Sequence, residues 1–87
     1  MIDSWFLYLV ECSDHTYYCG ITKNIAKRIG DHNKGRGAKY TKGRIPVKLM
    51  GFVEYDSRSA ASQEEVRIKR LSRREKLEMI QNGGISR

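Results

Sequence analysis

Residues Trp5–His32, WFLYLVECSDHTYYCGITKNIAKRIGDH, decide the fold. Phe6 to Glu11 is apolar at both alternating sets of positions, the pattern of a central strand covered on two sides. Ser13-Asp14-His15 is turn chemistry. Thr16 to Ile21 follows as a second strand, rich in β-branched and aromatic residues. If the connecting loop holds an odd number of residues, even-numbered positions pair across the hairpin. Tyr8 and Tyr18 then share a face as near neighbours, with Gly20 leaving open space beside the two phenols. Thr22 is the expected N-cap of a helix in which Ile25, Ala26 and Ile29 recur at helical spacing and should face the sheet. Arg28 and His32, four apart, lie together at one edge of that stripe and look into the cleft between helix and hairpin.

Beyond His32 the helix should fail at Gly35-Arg36-Gly37. Lys34 to Arg44 (KGRGAKYTKGR) holds five cations and three glycines around Tyr40. It reads as a mobile basic loop suited to tracking a phosphate backbone, with Arg36, Lys39, Lys42 and Arg44 as charges and Tyr40 to stack or donate a hydrogen bond. Pro46 closes it. Val47 to Tyr55 is a third strand with Val47, Leu49 and Val53 on one face and Phe52 on the other, and Gly51 suggests a bulge. Ser57 or Ser59 can cap a second helix reaching about Leu71, with Ala60, Ala61, Ile68 and Leu71 as its stripe. Glu64 lies nearer the middle of that stripe and Glu65 on its rim; an acid there needs a reason, since an unpaired buried carboxylate is costly. Ser72-Arg-Arg-Glu75 is a capping box opening a third helix anchored by Leu77 and Ile80, which Asn82-Gly83-Gly84 should stop. The elements describe a single α+β domain over 1–87, with its core at about 5–80. Its centre is a small three-stranded antiparallel sheet flanked by about three helices.

Composition narrows the partners. Lys and Arg number 17 against 10 acids, a formal net charge of +7 on 87 residues. A field of that sign and density favours polyanions, of which nucleic acid is the commonest. No run approaches the roughly 20 apolar residues of a membrane span, and the N-terminus lacks the pattern of a secretory signal, so a cytoplasmic protein is expected. Cys12 and Cys19 match no zinc or Cys-x-x-Cys spacing and read as structural thiols.

The ordered motifs resemble the GIY-YIG nuclease superfamily. Its first half-motif appears as Phe6-Leu7-Tyr8, keeping the tyrosine, and its second as Tyr18-Cys19-Gly20, keeping tyrosine and glycine. Trp5–Leu9, Gly20–Thr22, Gly35–Thr41 and Ile68–Ser72 are similar to the corresponding stretches of the small stand-alone bacterial members. The resemblance implies hydrolysis of a phosphodiester with one divalent ion, Mg²⁺ or Mn²⁺, held by Glu65. It also implies Tyr8 as the residue that helps take a proton from the attacking water. Tyr18 would hold a phosphate oxygen or the water, Arg28 would stabilise charge on the phosphorus oxygens, and His32 would assist proton transfer or contact a phosphate. The helical wheel alone favours Glu64 slightly over Glu65. Taken singly, each residue has a plainer account: strand tyrosines packing a core, a solvated Arg28, a surface His32, and Glu65 as the i,i+4 partner of Lys69.

Three functions are therefore weighed. The first is a metal-dependent endonuclease on DNA, selective for structure or of low sequence specificity because so short a chain has no separate recognition domain. The second is a basic DNA- or RNA-binding module without catalysis, and the third a subunit needing a protein partner. Filled positions at Tyr8, Tyr18, Arg28 and Glu65 favour the enzyme, and DNA is expected ahead of RNA.

Overall fold

The structure is a computed structural model and describes residues 4–81. In chain order it comprises β1 (Trp5–Glu11), β2 (Tyr17–Thr22), α1 (Ile25–Asn33), a single 3₁₀ turn (Lys39–Thr41), β3 (Lys48–Tyr55), α2 (Arg58–Ile68) and α3 (Arg73–Gln81). The strands form one sheet in the order β2-β1-β3, with β1 antiparallel to both neighbours. The expected α+β architecture is present, and β1 is the central strand.

Leu7, Tyr8, Leu9 and Val10 are all essentially fully buried, because alternate residues of β1 serve opposite sides. Leu7 and Leu9 join Cys19, Val53, Tyr55, Ala61, Ile68 and Ile80 beneath α2 and α3. Tyr8 and Val10 join Cys12 and Val47 on the other side, against Tyr18, Ile29 and Leu49. Both cysteines are buried and free, as expected.

The hairpin turn is fixed by Asp14, whose carboxylate accepts from Thr16 N–H at 3.2 Å and from the Thr16 hydroxyl at 2.6 Å. Across the hairpin Tyr8 pairs with Gly20 and Val10 with Tyr18, so even-numbered positions do meet. The cap of α1 is Asn24, not Thr22. Its side chain accepts from Lys27 N–H at 3.0 Å, while the Thr22 hydroxyl accepts from Asn24 N–H at 3.1 Å. Thr22 thus positions the capping residue instead of capping. Ala26 is exposed and only Ile29 packs into the core beneath Tyr8, so the α1 stripe does not lie flat on the sheet. An apolar groove of about 640 Å³ stays open between Phe6, Ile25, Ile29, Leu49 and Phe52, with Phe52 51% exposed. At the other end of α1 the Asn33 side chain clasps the residue just before β3: Oδ1 accepts from Val47 N–H at 2.6 Å and Nδ2 donates to the Val47 carbonyl at 3.3 Å.

The bulge expected at Gly51 occurs: Leu9 pairs with Gly51 and Val10 with Leu49, leaving Met50 as the extra residue. Ser57 caps α2 by accepting from Ala60 N–H at 3.1 Å. That helix ends at Ile68, short of Leu71, which instead packs from the turn before α3. The capping box forms as read: Ser72 Oγ accepts from Glu75 N–H at 3.2 Å and Glu75 Oε1 from Ser72 N–H at 2.9 Å. The expected stop at Asn82-Gly83-Gly84 lies outside the described residues.

Candidate active site

Tyr8 stands at the centre of a cluster drawn from four parts of the chain. Its register opposite Gly20 matters because a Cβ there would sit 2.6 Å from the Tyr8 hydroxyl and 2.8 Å from Cζ. Only glycine lets the phenol lie across β2. The hydroxyl is 2.8 Å from Nε2 of His32 and accepts from Arg28 Nε at 3.4 Å. Both partners come from one face of α1, four residues apart, as the helical period requires.

His32 is fully buried, whereas a histidine at a helix end is ordinarily a surface residue. Its Nδ1 lies 2.7 Å from the Thr41 hydroxyl, which in turn donates to the Ala38 carbonyl at 3.0 Å. Gly37 is packed against the imidazole so closely that a side chain there would collide with the ring. Lys34–Arg44 is therefore not the mobile loop its glycines suggested. It is folded over His32 and held by Arg36 N–H to the Asp31 carbonyl at 2.8 Å, Arg44 N–H to the Thr41 carbonyl at 2.9 Å and Ser13 N–H to the Arg44 carbonyl at 2.8 Å.

Tyr18 and Tyr40 complete the cluster. The Tyr18 ring lies 5.6 Å from that of His32 and 6.5 Å from that of Tyr8, centroid to centroid. Tyr40 stacks on Tyr18 at 5.8 Å and 20°, and the Arg44 guanidinium lies over Tyr40 at 4.1 Å. The Lys69 ammonium sits 5.5 Å from the centre of the Tyr18 ring. Arg44 also donates to Asp14 at 2.9 Å and to the Tyr40 carbonyl at 2.7 Å, so its charge is already engaged by the fold. Arg36, Lys39 and Lys42 are exposed. A polar depression of about 300 Å³ lined by Thr22, Lys23, Lys27, Arg28 and Asp31 opens beside Arg28.

Glu65 lies on α2. Its side chain is 20% exposed and paired with Lys69 at 3.4 Å, whereas that of Glu64 is 26% exposed and paired with Arg67 at 3.1 Å. The wheel expected Glu64 to be the more covered of the two; the structure gives the reverse. Burial first, and then the nearby Glu65 carboxylate, push the Cys19 thiol up to about 12. Glu65 is thus placed against β2, one residue from Tyr18. Among the described residues no group of three or more His, Cys, Asp or Glu gathers as a metal cage.

Burial dominates the titration of the central pair. It raises the Tyr8 phenol to about 12, against the pull of the Arg28 hydrogen bond and charge. It also lowers His32 below 6.5, with Arg28 acting in the same direction. Arg28 is itself raised, chiefly by its bond to Tyr8. A neutral imidazole therefore faces a neutral phenol beside a fixed cation. Of the residues singled out from sequence, Tyr8, Tyr18, Arg28, His32 and Tyr40 come together directly, and Glu65 adjoins them through Lys69. Thr41 and Gly37 were missed. They follow His32 by nine and five residues, in a stretch read from its charges, glycines and Tyr40 as a mobile basic loop.

A three-stranded antiparallel sheet whose central strand presents Tyr8 to Arg28 and His32 of α1 defines a small α+β domain. Residues 4–78 match the GIY-YIG catalytic domain, and the chain belongs to the GIY-YIG family. Among its relatives is the UPF0213 protein YsiG of Lactococcus lactis, 45% identical over 82 residues that cover 93% of this chain and 79% of the relative. A UPF0213 protein of Halobacterium salinarum is 51% identical over 70 residues, covering 80% of this chain and 91% of the relative. The solution NMR structure of a UPF0213 protein from Bacillus halodurans is similar at a TM-score of 0.58 and 37% identity, covering 93% of this chain and 86% of that one. That of a protein from E. faecalis is similar at a TM-score of 0.63 and 31% identity, covering 94% and 90%. Among the described residues no helix is long and apolar enough to cross a membrane.

Proposed function

We propose that the protein is a metal-dependent endonuclease that hydrolyses phosphodiester bonds of DNA, selecting by shape and not by sequence. The observation that carries this reading is the buried Tyr8 hydroxyl, bonded at once to His32 Nε2 and to Arg28. A phenol at about 12 cannot act as a free base at neutral pH. Burial raises the phenol and lowers the imidazole, so both shifts oppose complete proton transfer between them at rest. Full ionisation in the resting protein is therefore negligible. Tyr8 instead passes its proton to His32 as it receives one from the attacking water, so no free phenolate accumulates. Arg28 offsets negative charge on the phenol oxygen and then on the phosphorus oxygens, reached from the depression beside it. Tyr18 orients a phosphate oxygen or the water at the mouth of the cluster.

Glu65 is the residue that would hold the ion, Mg²⁺ or Mn²⁺. A lone carboxylate fits a small hard cation that keeps several waters and takes its remaining ligands from substrate phosphate, once Lys69 yields the carboxylate. When bound, such an ion supplies charge neutralisation at the scissile phosphate and the departing oxygen. Arg36, Lys39 and Lys42 are the exposed charges suited to the phosphate backbone, with the edge of Tyr40 beside them. Arg44 supports Tyr40 from behind.

The test is cleavage of labelled single-stranded, duplex, flap and four-way DNA with Mg²⁺, Mn²⁺ or EDTA. Metal-dependent cutting should fall by about 100-fold or more in Tyr8→Phe and in Glu65→Ala, with binding retained. Binding without cutting under every condition would make the protein a non-catalytic module.

A further inference from the structure

The hydrogen bonds around His32 fix a direction as well as a position. The Thr41 hydroxyl has one hydrogen, and its geometry commits that hydrogen to the Ala38 carbonyl at 3.0 Å, a group that can only accept. The same oxygen lies 2.7 Å from His32 Nδ1 and can therefore only accept from the ring. Nδ1 must carry the hydrogen. Nε2 of the neutral imidazole is then a bare lone pair, and the 2.8 Å contact with Tyr8 runs from the phenol to the ring. Arg28 can only donate, so its 3.4 Å contact leaves the phenol hydrogen free for His32. Each donor and acceptor in the row has one consistent role.

We propose that Thr41 is a positioning residue that holds His32 in the Nδ1–H tautomer, so that its free Nε2 accepts the proton of Tyr8. In the step itself the Tyr8 O–H bond breaks, and the electron pair left on oxygen takes a proton from the attacking water, whose oxygen bonds to phosphorus as the departing oxygen leaves. An Nε2–H bond forms, and the ring becomes an imidazolium that still donates Nδ1–H to Thr41. The Ala38 carbonyl cannot reverse its role, so the backbone of the 34–44 stretch sets the direction of the whole row. Gly37 lets the stretch close over the ring, because any side chain there would collide with the imidazole. The charged and titratable groups facing His32 are Arg28 and Asp31 from its own helix, Tyr8 from β1 and Tyr18 from β2. The 34–44 stretch meets the ring with Thr41 and Gly37, neither of which titrates.

The catalytic use of this arrangement rests on the proposed hydrolysis; the tautomer does not. The chain has two histidines, so His15→Gln leaves one imidazole to observe. In that background ¹⁵N NMR of the ring should show the Nδ1–H form alone. Thr41→Ser should preserve it, and Thr41→Val, which keeps the shape without the hydroxyl, should populate the Nε2–H form. An Nε2–H ring in the parent, or an unchanged Nδ1–H ring in Thr41→Val, would overturn the proposal. If Thr41→Val does not fold, the parent and Thr41→Ser spectra decide alone. In cleavage assays Thr41→Val should lose on the order of 10- to 100-fold at neutral pH with an altered pH–rate profile, and Thr41→Ser should restore both. A tautomer switch in a protein that never cleaves DNA would sink the nuclease reading and leave the lock standing.

Discussion

Inside the folded protein His32 is out of contact with water, and burial together with Arg28 holds it below its ordinary 6.5. A group lowered in this way binds protons more readily in the unfolded chain. Its contribution to stability is therefore complete above about pH 6.5 and is lost as pH falls from there through the folded value. Over that interval the native state should lose up to about 1.4 kcal/mol per pH unit. Denaturant titrations at pH 7.5 and 5 should show this loss in the parent protein and a flatter response in His32→Gln. Asp14, Asp31 and Glu75, held low by their hydrogen bonds, weaken the fold only at more acidic pH, nearer 4. An equal slope in both proteins would mean that His32 is not held neutral by the fold. At this scale the sequence was informative where local periodicity operates. Strand alternation put Tyr8, Tyr18 and Gly20 together, and the four-residue helical step put Arg28 with His32. Thr41 had no such period linking it to His32, and its role follows only from the path the glycine-containing stretch takes back over the ring.

The secondary-structure elements were legible wherever a local signal had no close competitor. Ser57 and the Ser72/Glu75 box begin helices as expected, but Asn24, two residues on, caps α1 in place of the expected Thr22. The bulge in β3 was visible as a glycine, yet the need for glycine at 51 lies in another element: a Cβ there would collide with the Ile80 side chain of α3. Gly51 is thus the place where α3 approaches the sheet. Gly51→Ala should cost about 1–3 kcal/mol by forcing that helix outward. Cleavage per folded molecule should survive, because Ile80 packs on the side of the sheet opposite Tyr8. Urea unfolding alongside a cleavage assay checks this. A loss of activity without a loss of stability would show that α3 bears on the site after all.

For the molecule as a whole the net charge of +7 was plain from composition, but which cations are free to meet a polyanion was not. Arg44 is spoken for by Asp14 and Tyr40, and Lys69 by Glu65, while Arg36, Lys39 and Lys42 stand exposed. Arg36→Ala or Lys39→Ala should weaken DNA binding across all sequences and reduce the slope of log affinity against log salt by about one. Unchanged slopes in equilibrium titrations would remove these residues from the interface. The alternation along β1 carries one more implication. Leu7 and Leu9 anchor one side of the sheet while Tyr8 serves the other, so a chain threaded one step out of place would set a leucine where the phenol belongs. A molecule that misassembles in this way loses the phenol–imidazole contact through the same error that destabilises it.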